Sequence, residues 1–405
     1  MQFLRRIRRV RKALRKRVLQ RYYAAQLAQP VEPDLAAFAA YWYRAYACNP
    51  KAIYEKLREL APGARGVWIV SREHAHEMPP GVEYVVAGTK DYYRLLARAR
   101  YLVNNVNFPN DVVKREGTVH VQTHHGTPLK KMGLDLREAY FAGKQGRMDF
   151  EKLLRRCERW DYSITANTFS TEMWKTAYPV DCETLEVGYP RNDALVNATP
   201  DDVSSLRASL GIEPSRKAIL YAPTHREYAH GWSPTADIGR LARELGPGFV
   251  ILKRVHYFYH GVAGDEEDVL DVSSHPSIEE LCLASDALVT DYSALMFDYA
   301  VLDRPIVIHA PDWEEYARLR GTYFDLLAAP PGVVTRTDDE LVDAFRSGAY
   351  EGPDAAHLRA AFRQRFCSLD DGRAAERVVR AVWLGERDEG ERAAPAEAAC
   401  VRIQA

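Results

Sequence analysis

The chain has 405 residues, 47% of them hydrophobic, and a formal net charge of −1, which is too much material for one ordinary domain and enough for two. No apolar run approaches the roughly 18 residues of a membrane-spanning helix, and no apolar stretch follows the basic start as in a secretory signal. Cys48, Cys157, Cys182, Cys282, Cys367 and Cys400 are scattered without a C-x-x-C pair, which argues against a zinc ribbon or disulfide scaffold and fits a reducing cytosol.

The amino terminus concentrates Arg5, Arg6, Arg8, Arg9, Arg11, Lys12, Arg15, Lys16, Arg17 and Arg21, with no acidic residue before Glu32. Phe3, Ile7, Val10, Leu14 and Val18 recur at helical spacing. Together they predict a basic amphipathic helix over 1–29. Such a helix suits an anionic membrane surface, bound through residues 1–21. A solvated helix, a helix packed on its own domain, and an arm for nucleic acid are the alternatives; the apolar stripe favours the membrane over nucleic acid.

Residues 30–65 read as helical. From Gly66 strands and helices alternate. Val67–Ser71, Tyr84–Ala87, Tyr101–Asn104, Val119–Thr123, Tyr162–Thr165 and Leu185–Gly188 read as strands. Asp91–Arg100, Arg147–Trp160 and Thr168–Ala177 read as helices. A Pro- and Asp-containing break follows at Asn197–Val203. The alternation resumes with strands Ala218–Tyr221, Phe249–Lys253, Val269–Val272, Ala287–Thr290 and Ile306–His309, and helices Ile238–Leu245, Ile278–Ala284 and Ala294–Leu302. Repeated strand–helix units imply parallel sheets covered by helices. The expectation is an α/β protein of two Rossmann-like domains, 30–196 and 197–385, followed by a disordered tail over 386–405, rich in Ala, Glu and Arg.

Ligands in such folds bind beyond the carboxyl ends of strands, so the loops there are the candidate site. The first reads His124-His125-Gly126-Thr127-Pro128-Leu129-Lys130. A neutral imidazole at a strand end suits a general base. Gly126 permits close backbone approach, Thr127 adds a hydroxyl, and Lys130 and Lys131 favour an anionic substrate. A lone histidine is more often structural; the strand end, the glycine and the lysines favour function here.

The second loop offers Thr224 and Arg226 for phosphate oxygens, the planar guanidinium being able to donate two parallel bonds. A surface pair of Arg226 with Glu227 is equally compatible. The third, Lys253-Arg254-Val255-His256, gathers positive charge suited to a diphosphate. His256 and His260 have the spacing of a helical metal pair, but they follow a strand end and no carboxylate is near. The fourth is Thr290-Asp291-Tyr292-Ser293-Ala294. Ser293 is an N-cap candidate, and free amides there can hold an anion; Asp291 would cap or accept a bond from a polyol hydroxyl. The sequence has neither a D-x-D metal motif nor a Walker loop. The loops suggest a nucleotide diphosphate held without a metal.

At these residues the chain resembles the CDP-glycerol glycerophosphotransferase family of teichoic-acid enzymes. HGTPLKKMG at 125–133, GYPRND at 188–193, YAPTHRE at 221–227, SIEELCLASDALVTDYSALMFDYAVLDRPIVIHAPD at 277–312 and RGTYFD at 320–325 carry the likeness, in order, from about residue 100 to 330. The resemblance implies a GT-B fold and transfer of glycerol phosphate, or another polyol phosphate, from a CDP-glycerol or CDP-ribitol donor to a hydroxyl of a lipid-linked polymer, with release of CMP. It implies a peripheral enzyme on the cytoplasmic face of a bacterial plasma membrane. The family's catalytic histidine carries over to His125 and its phosphate-contacting histidine to His256. Arg191 and Asn192, in the GYPRND motif, join the candidate substrate-binding residues. His124 departs from the family, standing where relatives usually have Trp. A GT-B glycosyltransferase using a nucleotide sugar, and a non-catalytic nucleotide- or membrane-binding protein, are the competing readings.

Overall fold

The computed structural model describes residues 2–137, 149–224, 226, 236–255 and 268–386, with backbone alone for residues 2–13. His256, His260, Glu227 and the stretch 387–405 lie outside the described residues.

Two parallel sheets organise the chain. The first has seven strands in the order β3-β2-β1-β4-β5-β6-β7. These are β1 (Glu32–Ala39), β2 (Arg65–Val70), β3 (Tyr84–Val86), β4 (Ala99–Asn104), β5 (Val119–Gln122), β6 (Tyr162–Thr165) and β7 (Glu183–Glu186). The second has six, in the order β10-β9-β8-β11-β12-β13: β8 (Lys217–Ala222), β9 (Phe249–Lys253), β10 (Val269–Asp271), β11 (Ala287–Thr290), β12 (Ile306–His309) and β13 (Val333–Thr335). Strand order reverses between β1 and β4 in one sheet and between β8 and β11 in the other. Connections there run to opposite faces and leave a crevice at the carboxyl ends.

β1 corrects the expectation that residues 30–65 are helical. It lies between β2 and β4, parallel to both. Its alanines favour a helix in isolation, but tertiary burial overrides that. Ala36, Phe38 and Ala40 pack into one apolar cluster, and Leu35, Ala37 and Ala39 into another. A strand buried on both faces shows no polar alternation to read. The helical part of the region is α2 (Cys48–Leu60). β13 was also not foreseen, being a three-residue edge strand. The helix expected over Ala294–Leu302 is shorter, Leu295–Ala300, with Ala294 at its N-cap; the Ser293 hydroxyl instead accepts from the Leu295 amide at 3.3 Å.

The carboxyl-terminal part of the expected 197–385 unit does not stay with the second sheet. Val378 and Val379 join the core of the first, and Trp383 stacks on Phe38 with ring centroids 6.4 Å apart. Burial of these apolar groups draws the chain back across the domain boundary. At the other end, α1 (Gln2–Leu27) packs on α3 (Lys90–Arg98). Tyr23 is buried there and its hydroxyl accepts from the Val113 amide at 3.0 Å. Leu14 and Val18 stay exposed, at 61% and 51%. No helix among the described residues is long and apolar enough to cross a membrane.

Candidate active site

β5 delivers the two adjacent histidines into different surroundings. His124 turns back into the protein with φ at +49°. It is buried, its Nε2 lies 2.9 Å from the Ser163 hydroxyl, and its ring stacks on Trp174 with centroids 4.5 Å apart. Trp160 meets it edge-on. Burial, reinforced by His125, holds its pKa down to about 3, so the ring stays neutral. An aromatic pocket thus holds the imidazole.

His125 is exposed at the crevice. Its Nδ1 lies 2.8 Å from the Asn105 carbonyl oxygen. A carbonyl can only accept, so Nδ1 carries the proton and Nε2 keeps its lone pair. Surrounding protein lowers the pKa, the Asn105 bond opposes this, and Arg191 lowers it further. A neutral ring with a fixed tautomer is the form a general base requires.

The rest of the loop ties the two domains together. Gly126 has φ at +145°, and a Cβ there would stand 3.2 Å from the Ala294 Cβ and 3.4 Å from an Arg191 nitrogen. Thr127 is buried and its hydroxyl accepts from Asn167 at 3.2 Å. Leu129 enters the core of the second domain. Lys130 forms an antiparallel bridge with Thr322, and its ammonium lies 5.9 Å from the Tyr316 ring centre. At Gly133 a Cβ would meet the Ala177 carbonyl oxygen at 2.1 Å, so only glycine fits.

Sequence reasoning missed Asn49 and Asn105. Asn49, buried at the start of α2, donates to the carbonyls of Thr123 at 2.9 Å and His124 at 3.1 Å, and accepts from the Arg191 amide at 3.1 Å. Arg191 is buried and paired with Asp298 of the second domain. Burial opposes the arginine's charge, but Asp298, Cys48, Tyr41 and Glu279 together outweigh it and its pKa is raised. Burial lifts Asp298 to about 6, against the pull of Arg191. The neighbouring Asn192 donates to Asp370 at 3.1 Å.

At the second switch point Asp291 is the organiser. It accepts from the Thr224 amide at 2.8 Å, the Tyr292 amide at 2.5 Å and the Arg226 guanidinium at 2.7 Å. Arg226 also binds Asp312 through two nitrogens, at 2.8 and 2.9 Å, and its Cζ lies 4.6 Å from the Tyr292 ring centre. Arg226 is therefore a buried strut rather than a surface residue. Its fork is engaged by the carboxylates of Asp291 and Asp312. The Thr290 hydroxyl donates to the Ala222 carbonyl at 2.7 Å. The Thr224 hydroxyl oxygen is buried without a hydrogen-bond partner among the described residues. Arg254 donates to the His275 carbonyl at 2.7 Å, and burial lowers its pKa. No group of three or more His, Cys, Asp or Glu arranged to hold a metal occurs among the described residues.

A neutral imidazole at one switch point and a hydrogen-bonded loop at the other define a two-domain α/β protein with a candidate site in the interdomain crevice. The sequence profile of the CDP-glycerol:poly(glycerophosphate) glycerophosphotransferase family matches residues 21–384, and the chain belongs to that family. It is 34% identical over 362 residues to the teichoic acid glycerol-phosphate transferase of Staphylococcus aureus, covering 86% of this chain and 93% of that one. It is 33% identical over 369 residues to the teichoic acid poly(glycerol phosphate) polymerase of Bacillus subtilis; that match covers 88% of this chain but spans only 50% of the polymerase. The solved structure of the wall teichoic acid polymerase TagF superposes with a TM-score of 0.80 at 31% identity, covering 93% of this chain and 96% of that one. The fold is thus GT-B-like, as the resemblance implied. A UDP-N-acetylglucosamine 2-epimerase from Listeria monocytogenes, at TM-score 0.52 and 13% identity, shares the fold alone.

Proposed function

We propose that the chain transfers glycerol phosphate, or a related polyol phosphate, from a CDP-polyol to a hydroxyl of a lipid-linked cell-surface polymer. The observation that carries this reading is the exposed His125, its Nδ1–H donating to the Asn105 carbonyl so that Nε2 keeps its lone pair, in a chain of the glycerophosphotransferase family. TagF, similar over nearly the whole chain, has been soaked with CDPG.

In the proposed reaction Nε2 of His125 takes the proton of the acceptor hydroxyl. The new O–P bond forms at the β-phosphorus, the P–O bond of the diphosphate bridge breaks, and CMP leaves with the electron pair. Arg254, the Thr224 hydroxyl and Ser293 with the amides after it are proposed to hold the diphosphate oxygens, together with His256. Transfer of this kind depends mainly on positioning and charge stabilisation, and the mechanism calls for no metal. CMP release by the purified chain, measured over a panel of CDP-glycerol, CDP-ribitol and UDP-sugars with glycerol-phosphate oligomers as acceptor, tests the reading. Turnover of a UDP-sugar with no CMP from either CDP-polyol would overturn it.

The same reading places the enzyme on the cytoplasmic face of the plasma membrane, held by residues 1–21. The exposed Leu14 and Val18 beside Arg15, Lys16 and Arg17 support this, since apolar and basic groups together favour an anionic interface. Flotation with anionic vesicles is expected to carry the full chain and leave one truncated before Tyr22; equal flotation of the two would refute it.

A further inference from the structure

The connection from β1 to α2 begins with an unusual backbone. Tyr41, Trp42 and Tyr43 have φ of 46°, 59° and 70° in succession. Residues with a Cβ avoid this left-handed region, and a run of three without glycine is a strained arrangement. The turn sits where β1 ends, beside the reversal of strand order.

It is anchored at both ends. The Tyr41 amide donates to the Asn105 side-chain oxygen at 2.9 Å. The Tyr43 carbonyl accepts from the Ser71 amide at 2.7 Å, and the Tyr43 hydroxyl lies 3.1 Å from that of Tyr92. The Tyr41 ring meets the His125 imidazole edge-on, with centroids 5.9 Å apart and planes at 75°. Asn105 therefore holds both partners: its side chain fixes the backbone of Tyr41, and its carbonyl fixes the ring of His125. Strain retained at such a place signals a functional constraint rather than an economy of folding.

We propose that Tyr41 is a positioning residue for His125, and that the left-handed turn is retained because it sets the Tyr41 ring edge-on against the imidazole. The ring covers one side of His125 and restricts its rotation, leaving Nε2 directed at the acceptor. The role deepens the transferase reading and rests on it for its consequence in catalysis.

The charged and titratable groups around this pair are Arg191 and His124 on the side of His125, with Asp298 paired to Arg191, and Cys48, Arg191 and Glu279 around Tyr41. Removing the Tyr41 ring leaves these in place and admits water to the side of the imidazole that the ring covers, the other side being already exposed. Desolvation is the main cause of the low His125 pKa. Its relief moves that pKa upward, towards the ordinary histidine value of about 6.5.

The test compares wild type with Tyr41→Phe, Tyr41→Gly and Tyr41→Asn in the full chain. Glycine and asparagine both tolerate positive φ, so either variant keeps the turn, and asparagine serves if glycine unfolds it. The His125 titration is followed by NMR and CMP release by kcat and its pH profile. Phenylalanine is expected to retain the wild-type titration and kcat. Glycine and asparagine are expected to raise the His125 pKa, shift the acid limb of the pH–rate profile to higher pH, and lower kcat by about 10-fold or more, within the range open to a misplaced base. Trp42→Gly relieves the same strain without touching His125. It is expected to raise the melting temperature by about 2 °C and to leave the titration unchanged. An unchanged His125 titration in both Tyr41→Gly and Tyr41→Asn would overturn the role, as would equal losses in Tyr41→Phe. The titration is read without substrate, so an inactive wild type would count against the transferase reading and not against this one.

Discussion

At the β1/β4 switch point the working groups are neutral. His125 donates its one N–H to a carbonyl, Asn49 and Asn105 bind backbone, and strain in the turn after β1 supplies shape. At the β8/β11 switch point the framework is ionic, with Arg226 buried between Asp291 and Asp312. The difference suits what the proposed function asks of each wall. A base that collects a proton must stay uncharged until it acts. A loop that receives a polyanion has to be rigid beforehand, and a satisfied buried ion pair gives rigidity without using up the donors that meet the ligand.

Breaking the ionic wall should have the largest effect on stability. Arg226→Met leaves two carboxylates without their guanidinium, and loss of one partner from a buried pair costs about 3–5 kcal/mol. Urea unfolding is expected to show a loss of this size; a change below about 1 kcal/mol would mean that the pair does not brace the loop. On the neutral wall, Asn49→Ala abandons two carbonyls and the Arg191 amide. Buried groups left unpaired cost about 1–3 kcal/mol each. Here kcat is expected to fall with stability, because His125 follows directly after the freed strand end.

A smaller effect sits where the chain crosses between domains. Burial raises the pKa of Asp370 to about 7, although Asn192 and the Tyr189 amide bind it. Its folded-state pKa exceeds the unfolded value, so its favourable contribution is complete below about pH 3.9 and is lost as pH rises through about 7. Asp370→Asn is expected to raise the denaturation midpoint at pH 8, with the advantage shrinking towards pH 4. A midpoint difference independent of pH would contradict this.

Much of the second sheet was legible because each strand there is a short apolar run closed by a polar loop. Ile238–Leu245, Ile278–Ala284 and Ala287–Thr290 occur at the expected bounds. β1 was not legible, since Ala36, Ala37, Ala39 and Ala40 carry no strand preference of their own and both faces are buried. That omission hid more than a strand. Without β1 the reversal beside β4 cannot be located, and Tyr41 and Asn105 have no reason to attract notice. The doubled histidine could not be divided by sequence either. Adjacent residues of a strand end differ only in which way the backbone turns, and that depends on Trp174 and Ser163, far along the chain. The mutual pairing of Asp291 and Arg226 was not legible either, because it is a long-range fact, 65 residues apart.

The central claim is that His125, and not His124, accepts the proton. CMP release from CDP-glycerol by wild type, His125→Ala and His124→Gln, each shown to be folded, measures it most directly. The expected result is a loss of about 10²–10⁴ for His125→Ala, with His124→Gln falling short of that range. Wild-type turnover by a folded His125→Ala enzyme would contradict it.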